Sequence, residues 1–477
     1  MKYISTRGEA APLSFVQTLL AGLAPDGGLY LPQSYPQFSV DEIAGFAGQS
    51  YADVAEAVLS PFLAGEIEAS ALRSMIDAAY ATFRHPAIAP LAQLDDNLFA
   101  LELFHGPTLA FKDLAMQLLA RLIDHALKTH GERATIVGAT SGDTGAAAIE
   151  AFRGLPQVDV FILYPHGRVS DVQRRQMTTV EADNIHAIAI EGTFDDAQAS
   201  IKALFNNKAL REELNLCGVN SINWARILAQ TVYYFTSAVA LGAPHRPISF
   251  VTPTGNFGDI FAGWIAKRIG LPIDRLVIAA NSNDILPRAV ASGTYAVTGV
   301  HATQSPSMDI QVSSNFERLL FEAYGREAGA VRRKMAQLQQ SRSFAIDPVP
   351  LEAIRAEFDA FSVGEAQTTR EIAGLWRDAG YLCDPHTAVG LNAARRHAEA
   401  RRSKTPLVVL GTAHPAKFPD AIEAAVGFRP PLPGHLAGLL DKQEHFSILP
   451  NDQTEIEHFI HARVSQSAAA PAARAAS

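Results

Sequence analysis

Cysteine and long apolar runs are scarce in this sequence of 477 residues. The two cysteines, Cys217 and Cys383, show neither a C-x-x-C motif nor a zinc-ligand spacing. Two cysteines are too few for a disulfide framework, so the composition favours a reducing compartment, the cytoplasm, and a fold without a structural metal. No run reaches the roughly 18 consecutive apolar residues of a membrane-spanning helix, so the sequence predicts none.

Positive charge is also in short supply. Lys and Arg total 40 against 49 Asp and Glu, which gives a net charge of −9. General electrostatic attraction to nucleic acid or to a membrane surface is therefore not expected, and an anionic ligand must be held by a local site. Hydrophobic residues make up 48% and charged residues 19%, which is typical of globular proteins. The length predicts two or three domains.

The nucleotide-binding glycine motifs are absent, since the chain has neither a Walker A loop nor a G-x-G-x-x-G motif. Two other loops rich in glycine and hydroxyl groups are present. Residues 140–145 (TSGDTG) and 254–259 (TGNFGD) each follow a predicted strand and precede a predicted helix. Such a loop either presents backbone N–H groups to an anion or forms a tight turn that caps the helix. Two loops of this kind in one chain indicate two phosphate or carboxylate groups to be bound.

A lysine lies among apolar neighbours at the start of a predicted helix. Lys112 follows residues 105–111 (HGPTLAF). A lysine is usually solvated on the surface, whereas a partly desolvated lysine with a lowered pKa is what Schiff-base chemistry needs. The position of Lys112 alone leaves both interpretations open.

Two further segments carry residue types that bind ligands. Asn220 and Arg226 lie in one short segment before a predicted helix. Their amide and guanidinium groups either bind a phosphate or carboxylate or belong to a surface turn. Thr412 follows a predicted strand over 407–411, and in open α/β sheets ligands collect at the carboxyl ends of the strands.

Short apolar runs alternate with helical segments from residue 98 onward, which predicts βαβ units and parallel sheets, the α/β class. We expect an N-terminal helical segment over 1–95, α/β domains over 96–240 and 241–430, and an extension over 431–464. A charged helical insertion is predicted at about 316–380, and a disordered tail at 465–477. The predicted strands are 98–104, 135–137, 158–164, 185–190, 248–252, 276–281 and 407–411.

In combination, motifs spread along the chain resemble the threonine synthase family, in the longer form found in many bacteria and in fungi. The similarity runs from the start to about residue 430. It implies a fold-type-II pyridoxal phosphate enzyme with two open twisted α/β domains. The implied reaction converts O-phospho-L-homoserine and water to L-threonine and phosphate, the last step of threonine biosynthesis. The motifs are KY at 2–3, STRG at 5–8, DGGLY at 26–30, HGPT at 105–108, FKD at 111–113, TSGDTG at 140–145, GNFGD at 255–259 and TAHP at 412–415.

The resemblance also implies a role for each site residue. Lys112 would bind the cofactor covalently and act as general acid and base. Thr412 would face the pyridine nitrogen, and Asp143 takes the place of a residue that contacts the 3′-hydroxyl. The cofactor phosphate would be held by the backbone amides of Gly255, Asn256, Phe257 and Gly258. The substrate would be bound by Thr140, Ser141, Thr144, Asn220 and Arg226.

Other functions stay open beside this one. A phospho-lyase that releases 2-oxobutyrate and a serine/threonine dehydratase use the same cofactor, and a non-catalytic phosphometabolite-binding protein would have no need of Lys112. The N-terminal segment and residues 220–226 favour a phosphorylated substrate over free threonine. We therefore expect a cytoplasmic enzyme, a monomer or small homo-oligomer, that acts on a small molecule without nucleic-acid or membrane partners.

Overall fold

The computed structural model describes the backbone of residues 1–474 and the side chains of residues 1–464. The tail predicted to be disordered, 465–477, lies outside the residues that are described in full. The strands are β1 (Tyr3–Ser5), β2 (Tyr30–Pro32), β3 (Leu91–Asp95), β4 (Leu98–Glu102), β5 (Ala134–Ala139), β6 (Val158–Pro165), β7 (Ile185–Glu191), β8 (Leu216–Cys217), β9 (Ile248–Pro253), β10 (Ile273–Ala280), β11 (Thr294–Ala296), β12 (Ser343–Ala345), β13 (Phe358–Ser362), β14 (Leu407–Gly411) and β15 (Ser447–Pro450).

Helices connect most of these strands, and short 3₁₀ turns lie at Pro306–Met308, Pro415–Lys417, Gly434–Leu436 and Leu439–Asp441. None of the described helices combines the length and apolar composition that a bilayer span needs. The helices are α1 (Phe15–Ala21), α2 (Val40–Ala44), α3 (Tyr51–Leu63), α4 (Ala69–Tyr80), α5 (Lys112–His130), α6 (Asp143–Phe152), α7 (Asp171–Thr178), α8 (Phe194–Asn206), α9 (Lys208–Glu213), α10 (Trp224–Ala240), α11 (Gly258–Arg268), α12 (Ile285–Ser292), α13 (Phe316–Ala323), α14 (Ala328–Ser341), α15 (Pro348–Glu357), α16 (Glu365–Ala379), α17 (Pro385–Arg401), α18 (Pro419–Val426) and α19 (Gln453–Arg474).

The chain divides into two compact units. Unit one comprises residues 1–18, 23–115 and 221–430. Unit two comprises residues 19–22 and 116–220 together with the described residues from 431 onward. Each unit is built on its own sheet of mainly parallel strands.

The sheet of unit one has the strand order β13-β10-β9-β14-β4-β3 within the described residues. All neighbours are parallel except β3 and β4. Strands β9 and β14 are buried along their whole length, because helices cover both faces of a parallel sheet. The register pairs Val409 with Val251 and Gly411 with Glu102. The carboxyl ends of β4, β9 and β14 therefore meet at one edge of this sheet.

The core of unit one is aliphatic. Val251, Val277 and Val409 from three neighbouring strands share one buried cluster with side chains of α16 and α17. Burying each such side chain contributes about 1.5–3 kcal/mol. This packing fixes the strands whose ends carry the predicted ligand-binding loops.

The sheet of unit two has the order β15-β7-β6-β5-β8, and all of its strand pairs are parallel. The TSGDTG loop follows β5 at the carboxyl edge of this sheet. Alternating strands and helices in both units confirm the predicted α/β class.

The segment 316–380 differs from its helical prediction in two places. It holds α13, α14, α15 and α16, but β12 and β13 interrupt them. Strand β13 extends the sheet of unit one by pairing with β10, from Leu276 with Phe358 to Ala280 with Ser362. Its sequence, FDAFS, is short and only partly buried, so it lacks the continuous apolar run that marks the central strands.

Candidate active site

Lys112 is the first residue of α5, and it is only 8% exposed. Its Nζ lies 4.7 Å from the ring centroid of Phe111. The backbone before the lysine pairs with the backbone after β14: the Phe111 N–H donates to the carbonyl of Thr412 over 2.9 Å, and the His414 N–H donates to that of Leu109 over 3.0 Å. The fold thus brings together the Lys112 segment and Thr412, two of the predicted site residues.

The turn before Lys112 is held by buried charges. The Asp113 carboxylate accepts from the N–H of Thr108 over 2.8 Å and from its hydroxyl over 2.7 Å. A Cβ on Gly106 would lie 2.5 Å from the Cβ of Asp113, so only glycine fits there. The fully buried Lys417 donates to the carbonyl of Thr108 over 2.7 Å. Asp113 and Lys417 therefore fix the approach to the lysine.

The GNFGD loop connects β9 to α11. Its carbonyls are engaged by a neighbouring segment: Gly255 accepts from the Ser313 hydroxyl over 2.6 Å, and Asn256 accepts from the Asn315 N–H and side-chain amide, each over 3.0 Å. Phe257 has a φ of 63°, and its side chain makes no capping bond to α11. The first N–H groups of that helix therefore suit an anion, since a helix N-terminus carries partial positive charge.

The residues of this edge fit pyridoxal phosphate. A Cβ on Gly255 would lie 2.9 Å from the carbonyl oxygen of Ser307, so the loop takes a close approach that excludes any side chain. Thr412 is 6% exposed, and its Oγ1 is a buried hydroxyl without a hydrogen-bond partner among the described residues. A lysine, an anion-binding helix start and an unsatisfied hydroxyl are the groups that an aldehyde, a phosphate and a ring nitrogen require.

A buried acid in unit one was not assigned from sequence. Asp259, the second residue of α11, accepts from the hydroxyls of Tyr233 and Tyr234 over 2.5 and 3.1 Å. Burial raises the pKa of Asp259 to about 6, although the tyrosine hydrogen bonds and the charge of Lys112 act in the opposite direction. The two tyrosines lie on α10, 26 and 25 residues before Asp259, so no local pattern in the sequence pointed to this contact.

Arg226 lies on α10 and is 3% exposed. Burial lowers the pKa of its guanidinium to about 10, so the group stays protonated at neutral pH. The helix start is fixed by Asn223, whose side chain accepts from the Ala225 N–H over 3.0 Å. A buried cation suits a phosphate or a carboxylate as its ligand.

The TSGDTG loop of unit two uses one predicted residue to close its own turn. The hydroxyl oxygen of Thr140 accepts from the N–H groups of Gly142 and Gly145, each over 2.9 Å. Asp143 is buried and accepts from the side-chain amide of Gln173 over 2.8 Å. No pattern in the sequence predicted this contact, because the two residues lie thirty positions apart. Ser141, Thr144 and Asn220 are half-buried, and the ligand roles of all five predicted residues in this unit stay predictions.

Comparison with known proteins identifies the class of enzyme to which this chain belongs. A family model described as pyridoxal-phosphate dependent enzyme matches residues 82–412, which include Lys112, the GNFGD loop and Thr412. The chain is therefore a pyridoxal-phosphate-dependent enzyme. The predicted fold class and cofactor are confirmed.

Further matches identify the branch of that class. Models described as threonine synthase N terminus and threonine synthase, C-terminal match residues 2–80 and 387–460. Threonine synthase from Pseudomonas aeruginosa is 52% identical over 96% of this chain and 98% of its own. The structure of PLP-bound threonine synthase from Brucella melitensis superposes with a TM-score of 0.94 at 58% identity, covering 97% of this chain and 99% of its own. The structure of threonine synthase from yeast superposes with a TM-score of 0.92 at 38% identity, covering 98% of this chain and 99% of its own. The chain belongs to the threonine synthase family, as predicted.

Proposed function

We propose that Lys112 is the covalent anchor and proton carrier of the threonine synthase reaction in this chain, in which O-phospho-L-homoserine and water become L-threonine and phosphate. The observation that carries the proposal is the backbone pairing between Phe111 and Thr412. It holds a buried lysine beside a buried hydroxyl at the sheet edge from which the GNFGD loop also leaves.

Each end of the cofactor has its own residues. The backbone N–H groups of Gly255, Asn256, Phe257 and Gly258 bind the phosphate, which the start of α11 stabilises electrostatically. Thr412 Oγ1 donates to the ring nitrogen, and that contact satisfies its buried hydroxyl. A neutral hydroxyl at this place, instead of a carboxylate, weakens electron withdrawal and disfavours transamination.

Proton transfer falls to Lys112. The bound cofactor supplies an electron sink that makes the Cα and Cβ hydrogens of the substrate acidic. Once substrate is bound, the free Lys112 amine would accept the Cα proton and pass it to the substrate phosphate, because one amine holds only one added proton. The same amine would then take a Cβ proton and return it to Cγ as the Cγ–O bond breaks and phosphate leaves. The hydroxide part of water would bond to Cβ, and Lys112 would carry the remaining proton of water to Cα.

Arg226 binds the substrate phosphate in this proposal. The guanidinium is buried and charged, and a phosphate offsets the cost of burying it. Both cysteines are free and buried, which supports a cytoplasmic location for the enzyme.

Product analysis tests the proposed function. Full-length protein loaded with pyridoxal phosphate is incubated with O-phospho-L-homoserine, and the organic product is quantified together with the released phosphate. The proposal expects L-threonine and phosphate in equal amounts. Phosphate released with 2-oxobutyrate would instead make the protein the phospho-lyase considered as the alternative, and no released phosphate would reject the substrate.

A further inference from the structure

A buried carboxylate at the start of α17 holds more groups than a helix cap requires. Asp384 is fully buried and precedes α17. Its carboxylate accepts from the backbone N–H groups of His386 and Thr387 over 2.8 and 3.3 Å, which is an ordinary cap. It also bonds the side chains of both residues, over 2.9 Å to His386 Nδ1 and 2.6 Å from Thr387 Oγ1.

The threonine branch leads from Asp384 through Thr387 to Thr412. The Thr387 hydroxyl donates its one proton to Asp384 Oδ2, so its oxygen is left to accept. It accepts from the Thr412 N–H over 3.2 Å. Thr412 is thus fixed on one side by Thr387 and on the other by Phe111. This support holds the residue whose buried hydroxyl is proposed to meet the ring nitrogen.

The histidine branch leads from Asp384 through His386 to Ser307. Because an ionised Asp384 only accepts, His386 Nδ1 carries the proton and Nε2 carries a lone pair. Nε2 accepts from the Ser307 N–H over 3.2 Å. The carbonyl oxygen of the same serine is the atom that lies 2.9 Å from a Cβ built on Gly255. The branch therefore ends against the loop proposed to bind the phosphate.

We propose that Asp384 is a positioning residue that fixes both ends of the cofactor site, the ring-nitrogen end through Thr387 and the phosphate end through His386. The inference rests on the proposed function. A hydrogen bond to a buried charge is worth more than a neutral one, so a single carboxylate can hold two segments at fixed distances. Such support sets how well a site is preorganised for its ligand.

Cofactor affinity separates the two branches. Full-length protein freed of cofactor is titrated with pyridoxal phosphate and, separately, with pyridoxal, which lacks the phosphate. Thr387→Val loses the threonine branch, and we expect it to weaken binding of both compounds alike, by about 10-fold. His386→Phe loses the histidine branch and should weaken pyridoxal phosphate by about 10-fold but pyridoxal much less. Asp384→Asn should weaken both compounds.

Matched variants distinguish positioning from general loss of stability. Thr368→Val removes an equally buried hydroxyl from the first turn of α16, where it donates to the carbonyl of Gly364, the residue that precedes this helix. It should leave both affinities unchanged, while Thr387→Ser should restore them. If Asp384→Asn does not fold, the other variants decide. Wild-type affinity in Thr387→Val, or equal losses in His386→Phe for the two compounds, would overturn the inference. Because cofactor binding is measured without substrate, a failure here is separate from failure to form threonine.

Discussion

Tyr233 donates a 2.5 Å hydrogen bond to the carboxylate of Asp259, and both side chains are buried. The acid lies in the first turn of α11, directly after the loop proposed to bind the cofactor phosphate. Its other oxygen, Oδ2, is buried without a hydrogen-bond partner among the residues that the structure describes. The tyrosine hydrogen bonds therefore offset only part of the free-energy cost of burying an ionised Asp259.

This pair predicts a pH-dependent stability. The folded-state pKa of Asp259 is raised from 3.8 to about 6, so the protonated acid is favoured in the folded protein. The stability that it contributes is present below pH 4 and is lost as the pH rises through about 6. Relative to wild type, Asp259→Asn should gain up to about 3 kcal/mol in unfolding free energy between those limits.

Denaturant unfolding at pH 5 and pH 8 measures this difference. Asp347→Asn is the control, because Lys334 lowers the pKa of that carboxyl and places its titration below this range. The difference in unfolding free energy between Asp347→Asn and wild type should be the same at pH 5 and at pH 8. An Asp259→Asn difference that does not change between pH 5 and pH 8 would contradict the raised pKa.

Gly255→Ala should weaken pyridoxal phosphate binding by about 10-fold or more, because the added Cβ meets the Ser307 carbonyl at 2.9 Å and moves the loop. Fluorescence titration gives the affinity. Gly374→Ala is the matched control, since its Cβ meets only the tip of Arg377 at 4.0 Å and lies within α16. If Gly374→Ala weakened cofactor binding as much as Gly255→Ala, the loss would be a general effect of replacing glycine by alanine and would not show a role for the loop.

Thr412→Val should leave the stability of the cofactor-free protein undiminished. The same substitution should lower kcat by about 10-fold. Removal of a buried, unsatisfied hydroxyl costs the folded state nothing, while the ring nitrogen loses its donor. Thermal melting and steady-state kinetics measure the two effects, and Thr412→Ser should keep wild-type kcat. A Val variant with wild-type kcat would remove the proposed role.

Arg226→Gln should raise the KM for O-phospho-L-homoserine by about 10- to 100-fold and leave pyridoxal phosphate affinity unchanged, because the guanidinium is proposed to bind only the substrate phosphate. Kinetics and cofactor titration of one preparation check both statements. Arg275→Gln, at a largely buried arginine that donates to the Asp359 carboxylate and to the Phe358 carbonyl, controls for loss of a guanidinium and should leave the KM unchanged. An unchanged KM in Arg226→Gln would exclude the contact.

Much of the fold could be predicted because its signals are local. The apolar runs at 158–164, 248–252 and 407–411 became β6, β9 and β14, since a strand covered on both faces reads as a continuous hydrophobic segment. The partly buried β13 and the two-residue β8 have no such run. The pairing of β14 with β4, which are separated by some 300 residues of sequence, has no local signal either.

The candidate site divides in the same way. Lys112, the GNFGD loop and Thr412 could be predicted as site residues because each lies in a short motif with a recognisable chemical purpose. Asp384 and Asp259 were not assigned roles, because the contacts that would give them one form only on folding. Asp384 reaches Thr412 and Ser307 through its sequence neighbours Thr387 and His386. Asp259 meets Tyr233, which lies 26 residues earlier. Thr140 was assigned to the substrate, but its hydroxyl oxygen already accepts from two N–H groups of its own turn. Sequence reports which groups are present, and tertiary structure decides which of them are already bonded.

Mapping the attachment site of the cofactor tests the central claim most directly. The full-length protein loaded with pyridoxal phosphate is treated with borohydride, which makes the lysine linkage permanent, and its peptides are analysed by mass spectrometry. The account predicts the cofactor mass on Lys112 alone and no labelling in Lys112→Ala that keeps its fold. Labelling of another buried lysine, such as Lys417, would contradict it.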